Sequence, residues 1–264
     1  MCLIVFSYKK HPQFNLIFAA NRDEFYERPS RPAQFWEDHP YILAGKDLKG
    51  GGTWMGITKT GRFAAITNFR DLSEPNKEDT SRGHLVRDFL KSSADPEEFA
   101  RDVHKKGSSY NGFNLILGNP SDRLFYVSNQ KEDIAKIQPG IHGLSNGLLD
   151  TPWPKVREGK EGLRRLIEHD HLNPADLFEL LRNEHRANDA ELPDTGVGLD
   201  LERQLSPMFI RSKNYGTRNS TIVTVDKDGE VWFHERVFEK SKTSIQQEQR
   251  FTFYTTSAES TSHY

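Results

Sequence analysis

The apolar runs of this chain are short and arrive in groups. Two or three strand-length runs follow one another, then amphipathic segments of helical length, then strands again. A parallel sheet needs strand–helix–strand alternation, because each parallel pair is joined by a long crossover. That alternation is missing here. The order of elements therefore implies an α+β fold, with two antiparallel sheets and helices packed outside them.

Residues 2–8 and 16–21 read as the first two strands, joined by a longish hairpin loop through Lys9-Lys10-His11-Pro12-Gln13. The second run stops at Asn21-Arg22-Asp23-Glu24, and turn residues follow only at Pro29-Ser30-Arg31-Pro32. Gly50-Gly51-Gly52 leads into a strand ending at Thr58, Lys59-Thr60-Gly61 is a tight turn, and residues 62–68 return. Helices are expected over 81–91, with Leu85, Phe89 and Leu90 on one face, and from Asp95-Pro96 to about residue 105. Strands follow at 113–118, 124–128 and 134–138, the last leading to Leu144-Ser145-Asn146-Gly147. Two more helices span 154–168 and 173–182, and 183–207 reads as a long surface loop or lid. Strands 219–226 and 230–238 form a hairpin around Asp226-Lys227-Asp228-Gly229, and 251–254 is an edge strand. Residues 257–264 have the composition of a disordered tail, so a single domain is expected over 1–256.

The chain has 264 residues, 35% hydrophobic and 28% charged, which is enough apolar material for a core. A net charge of −2 makes no case for nucleic acid or an anionic membrane. One cysteine excludes an internal disulfide framework. The first apolar run is four residues long and soon meets Lys9-Lys10-His11-Pro12, so neither a signal peptide nor a membrane span is expected. These features point to a cytoplasmic protein. The oligomeric state is not legible.

That single cysteine is Cys2, directly after the initiator. Its small side chain permits removal of Met1, after which one residue carries both a thiol and a free amine. The amine titrates at about 7.7–8.0 and the thiol near about 8.5, so the pair is a nucleophile with its own base. A buried strand behind it would hold the thiol rigidly; a frayed end would make it incidental. The Asn21-Arg22-Asp23-Glu24 quartet is either a solvated turn or a set of side chains aimed into a site beside the first strand. Asn68 and Asn146 each close an apolar strand, as turn residues or as site residues. Trp54 is core or pocket wall. The glycines at 50–52 lack the order of a phosphate-binding loop. Glu168-His169-Asp170-His171 falls at a helix end and reads as a solvated cluster, with too few ligands for zinc. There is no Cys-x-x-Cys-His for haem attachment.

Several blocks together resemble a known family. Met1-Cys2, the Asn21-Arg22-Asp23-Glu24 quartet, Trp54-Met55-Gly56-Ile57-Thr58 and Ala65-Ile66-Thr67-Asn68-Phe69-Arg70 are similar to the NRDE family, also called the transport and Golgi organisation protein two family. Leu144-Ser145-Asn146-Gly147, Thr151-Pro152-Trp153-Pro154-Lys155, Leu192-Pro193-Asp194-Thr195-Gly196 and Tyr215-Gly216-Thr217-Arg218-Asn219-Ser220-Thr221 extend the match in order over nearly the whole chain.

The resemblance implies a branch of the N-terminal-nucleophile hydrolases, with bile salt hydrolases and penicillin V acylases as cousins. It implies a four-layer αββα sandwich and Cys2 as nucleophile. It also implies that Arg22 and Asp23 contact the thiol and amine, that Asn68 and Asn146 serve the oxyanion and the amine, and that Arg218 is a late active-site arginine. The cousins space their Arg and Asp three apart; here the two are adjacent, and Asn21 and Glu24 carry that spacing. Asn21, Glu24 and Trp54 are then expected to contact substrate. The implied activity is cleavage of a C–N amide bond in a small acylated substrate through a Cys2 thioester, with no metal and no cofactor. The alternative is a non-catalytic binding or trafficking protein for haem or acyl lipids on the same fold.

Overall fold

The structure is a computed structural model that describes residues 2–70, 80–169 and 172–256. The expected tail at 257–264 lies outside the described residues.

The first half of the chain supplies β1 (Cys2–Tyr8), β2 (Phe14–Phe25), β3 (Ser30–Phe35), β4 (Ile42–Asp47), β5 (Met55–Thr58) and β6 (Phe63–Asn68). Helices α1 (Gly83–Lys91) and α2 (Pro96–Lys105) follow, then β7 (Phe113–Asn119), β8 (Arg123–Ser128), β9 (Ala135–Lys136) and β10 (Gly140–Leu144). The remainder is α3 (Pro154–Glu168), α4 (Pro174–Leu181), α5 (Leu199–Leu205), β11 (Tyr215–Asp226), β12 (Glu230–Phe238) and β13 (Ile245–Tyr254). One sheet has the order β10-β1-β2-β11-β12-β13 and the other β3-β4-β5-β6-β7-β8-β9. The pairings in both are antiparallel.

Successive side chains on a strand point to opposite faces, and the apolar residues divide accordingly. Ile4, Phe6, Phe18 and Ala20 meet Phe63, Ile116, Val223 and Phe233 in a core between the sheets. Leu3, Val5, Ile17 and Ala19 face the other way, onto Val156, Leu163, Leu177 and Phe178 of α3 and α4. On the far side, Ala64, Leu115 and Leu117 pack on Leu85, Phe89, Ala100 and Val103 of α1 and α2. Strands buried on both faces cannot alternate apolar with polar, which is why β1 reads as one continuous apolar run. The result is the αββα sandwich. Each fully buried Leu or Phe contributes about 1.5–3 kcal/mol. Helix α3 lies close on β1: a Cβ at Gly159 would sit 2.6 Å from Val5 Cγ1.

The helix starts follow local chemistry. Asp95 accepts from the N–H groups of Glu97 and Glu98 and Pro96 opens α2, while Asn173 caps α4 through Asp176 N–H.

Three expectations are corrected. The second strand does not stop before the quartet: β2 runs through it to Phe25 because β1 pairs with it as far as Arg22 and β11 carries the pairing on to Phe25. The turn residues near Pro29 open β3, an edge strand whose ladder is irregular between Arg31 and Gln34, around Pro32. Residues 183–207 are not a plain loop, since they hold α5 and a short 3₁₀ turn at Asp189–Glu191. Two ties fix α5 to the body: the Arg70–Glu202 ion pair at 3.0 Å, and Lys155 Nζ donating to the Leu205 carbonyl at 2.9 Å.

Candidate active site

The chain start, the end of β2, the end of β6, the end of β10 and the start of β11 converge at one end of the sandwich. Backbone register sets the centre. Cys2 pairs with Arg22 across β1 and β2, and Arg22 pairs with Asn219 across β2 and β11. The β11 ladder slips between Thr217 and Asn219, leaving Arg218 as the extra residue of a bulge.

Arg22 shares the face of β2 that carries Phe18 and Ala20, so its guanidinium enters the space between the sheets. It is 6% exposed, and its carbon lies 4.2 Å from the Trp54 ring centroid. A desolvated cation–π contact of this kind is worth roughly 2 kcal/mol. The indole fits because residue 45 is glycine: a Cβ there would be 2.3 Å from Trp54 Cη2. Arg22 Nη1 is buried and has no hydrogen-bond partner among the described residues. A buried guanidinium donor left without an acceptor is costly, and such exceptions concentrate at functional sites.

Asp23 turns to the opposite face. Thr217 Oγ1 donates to its carboxylate at 2.7 Å. Burial raises the Asp23 pKa, against the opposing charges of Lys155 and Arg22. Adjacency in sequence therefore sends the arginine to one face and the acid to the other. Both still border one cleft of about 340 Å³, together with Glu24, Trp54 and Asn68.

Asn68, the last residue of β6, has its carbonyl held by Asn146 Nδ2 at 2.7 Å. Asn68 is among the residues that line the cleft. Asn146 is fully buried, and its own carbonyl accepts from Arg70 N–H at 2.8 Å. It joins the ends of the two sheets and does not line the cleft. Arg218 also stands back from the cleft: Nη1 donates to the carbonyls of Phe25 (3.0 Å) and Arg28 (2.9 Å). Burial, then the neighbouring Arg22 charge, lowers its pKa.

Asn21 is a correction. The strand alternation that aims Arg22 at the cleft aims Asn21 at the helical layer. There its Nδ2 donates to the carbonyls of Leu181 (2.9 Å) and Met208 (2.8 Å), and its Oδ1 accepts from Ser220 Oγ. Its amide is fully engaged with the chain's own groups. Glu24 borders the cleft, with Oε1 on Phe25 N–H at 2.9 Å and Oε2 3.7 Å from Arg28.

Two buried charged residues had no site role in the sequence reading. Lys155 is 3% exposed and bears on Asp23. Glu235 is 1% exposed on β12; Val231 and Phe233 precede it at two-residue spacing in the core between the sheets. The signal was present: a glutamate on the apolar face of an alternating strand is out of pattern. Burial pushes its pKa up to about 7, against hydrogen bonds from Ala33 N–H, Thr221 and Asn219 and the charge of Arg22. Among the described residues, no group of three His, Cys, Asp or Glu side chains is placed to hold a metal. His169 is exposed at the end of α3, with Nδ1 2.8 Å from the Arg165 carbonyl; residues 170 and 171 lie outside the described residues. No helix among the described residues is long and apolar enough to cross a membrane.

The cleft continues at Glu24 and Asn68 into a groove of about 1020 Å³. Phe25, Leu201, Leu205, Ile210 and Tyr215 line its apolar wall. Phe25 is 60% exposed, packed edge-on against Tyr215.

Comparison with solved structures places the fold. The conjugated bile acid hydrolase from Clostridium perfringens matches with a TM-score of 0.51 at 11% identity, covering 98% of each chain. The Caenorhabditis elegans ortholog of N-acylethanolamine-hydrolyzing acid amidase matches with a TM-score of 0.50 at 10% identity, over 84% of this chain and 92% of that one. Both support the N-terminal-nucleophile hydrolase-like sandwich. In sequence, the Transport and Golgi organization protein 2 homolog of Homo sapiens is 39% identical over 89% of this chain and 92% of its own length. The Drosophila melanogaster Transport and Golgi organization protein 2 is 31% identical over 89% and 91%. The model of the family described as Transport and Golgi organisation 2 matches residues 1–240, and the chain belongs to that family.

Proposed function

We propose that this protein is an N-terminal cysteine amidohydrolase that cleaves the C–N bond of a small acylated substrate. The observation that carries the reading is the buried Arg22 guanidinium, stacked on Trp54 with a donor unused, in register with Cys2. Removal of Met1 frees the Cys2 amine, which accepts the thiol proton directly or through water. The positive charge of Arg22 lowers the thiol pKa and favours the thiolate. The thiolate attacks the amide carbonyl; Asn68 Nδ2 and backbone N–H groups hold the oxyanion, a role whose loss costs about 10²–10³ in rate. The C–N bond breaks as the leaving amine takes the proton held by the Cys2 amine. Water then attacks the thioester, giving the acid and the free thiol. Asp23, held by Thr217, orients the Cys2 amine, while Asn146 fixes Asn68 and Arg218 fixes the end of β2. Glu24 and the groove wall receive the acyl group.

Intact-mass measurement and a panel of N-acyl compounds test this. The mature chain is expected to lack Met1, and Cys2→Ala to abolish turnover. Retention of Met1 ends the mechanism, since there is then no free Cys2 amine.

A second reading is a non-catalytic carrier of haem or an acyl lipid, and the size and apolar wall of the groove favour it. Saturable micromolar binding of such a ligand, with no turnover of any N-acyl compound, would establish it over the first.

A further inference from the structure

Arg22 has no carboxylate within ion-pair distance among the described residues, yet it is buried. Its charge must be balanced from somewhere nearby. Three hydrogen bonds from two strands point to the group that does so. Ala33 N–H on β3 donates to Glu235 Oε1 at 2.7 Å. Asn219 Nδ2 and Thr221 Oγ1 on β11 donate to Oε2 at 2.7 and 3.2 Å. Asn219 is also the residue paired with Arg22 across the β2–β11 ladder. The carboxyl is thus fixed in the same space between the sheets that the guanidinium enters.

We infer that Glu235 is a positioning residue for Arg22, a buried counter-charge that balances the guanidinium from beyond contact distance and leaves its free donor to the reacting groups. A carboxylate in direct contact would occupy that donor. One held back by Ala33, Asn219 and Thr221 supplies the field without taking the hydrogen bond. Arg22 is the charge that faces Glu235; the groups presented by β3 and β11 are neutral. Of the three partners, Ala33 N–H donates only, whereas the Thr221 hydroxyl either donates to a carboxylate or accepts from an acid. The arrangement therefore has two proton states without rearranging the backbone. With Glu235 ionised the pair is neutral; with Glu235 protonated the Arg22 charge loses this counter-charge and keeps only the field of Asp23 on the opposite face of β2. The second state strengthens the attraction for a thiolate.

The inference rests on the reading of Arg22 as the guanidinium that serves the Cys2 thiol, and the test separates the two. Cys2 is the only cysteine in the chain, so the iodoacetamide alkylation rate reports one thiol whether or not Met1 is removed. Glu235→Gln imitates the protonated acid; rotation of the Asn219 amide accommodates the new NH₂. Near pH 8, where Glu235 is ionised in the wild type, Glu235→Gln is expected to be alkylated about three- to tenfold faster, the equivalent of a thiol pKa lower by about 0.5–1 unit. The two proteins should converge well below pH 7, the region in which Glu235 becomes protonated in the wild type at about 7. Superimposed curves, or an offset equal at every pH, overturn the inference. A second measurement needs no change at Glu235. In protein carrying ¹³C at the glutamate carboxyls, Arg22→Ala is expected to raise the Glu235 midpoint, because linkage is reciprocal. An unmoved midpoint refutes the pairing. If Arg22→Ala moves that midpoint but leaves the alkylation rate alone, the reading of Arg22 fails while the Glu235 pairing stands.

Discussion

Asp150 and Glu235 are two partly or wholly buried carboxyls in opposite circumstances. Asp150 lies in the turn after β10 at a left-handed φ of 62°. His142 Nδ1 lies 2.7 Å from one oxygen; Lys160 Nζ and Gly143 N–H reach the other at 2.5 and 3.0 Å. Burial alone would raise its pKa, but the hydrogen bonds from His142, Lys160 and Gly143 hold it at about 2. Glu235 meets neutral donors, and burial lifts it to about 7. A carboxylate given an adjacent ammonium and an imidazole partner locks α3 to β10 and stays ionised at every working pH. One denied contact with a cation keeps its proton available near neutrality. The first is architecture. The second is poised to answer to its surroundings.

Stability against pH breaks or sharpens this contrast, because the two groups act with opposite sign. The folded pKa of Glu235 lies above its unfolded value of about 4.5. Its contribution is fully present below about 4.5 and is lost as pH rises through about 7. Glu235→Gln cannot ionise, so thermal unfolding should show the variant gaining on wild type between pH 5 and pH 8. The swing should be roughly 2–3 kcal/mol, the largest effect of the three. A constant difference across that window would show that the folded pKa of Glu235 is not raised.

The folded pKa of Asp150 is depressed, so its contribution is present above about 3.8 and lost as pH falls toward about 2. Asp150→Asn keeps a residue that tolerates the left-handed conformation and an oxygen for Gly143 N–H, and removes the charge. It should lower Tm at pH 7 by about 2–6 °C, from about 1–2 kcal/mol, and converge on wild type in strong acid. An undiminished gap at low pH would assign the loss to packing. Lys160→Met should be the smallest of the three, under about 1 kcal/mol, because His142 and Gly143 still hold the carboxylate. A loss equal to that of Asp150→Asn would make Lys160 the sole partner that matters.

Helix positions were legible wherever a local signal exists. Pro96 after Asp95 and Pro174 after Asn173 mark helix starts through backbone chemistry confined to four residues. The limits of β2 were not, because its quartet is polar. What keeps those residues in a strand is pairing with β11, almost 200 positions away. The site was partly legible for the same reason. Arg22, Asp23, Glu24, Trp54 and Asn68 border one cleft. Asn21 belongs to the same quartet but turns to Leu181 and Met208, as strand alternation requires. Glu235 stood out of pattern on its strand, yet nothing local connects it with Arg22.

By itself, then, the order of short apolar runs determined an α+β chain of two antiparallel sheets. The blocks beginning at Cys2 and Asn21 identified the family. These are properties of neighbours along the chain, set by side-chain period and backbone preference. Which polar residue enters the cleft and which is consumed by the frame was decided only in three dimensions. Register assigns each side chain a face, and burial then sets whether its charge is paired, balanced at a distance, or left with a proton to give.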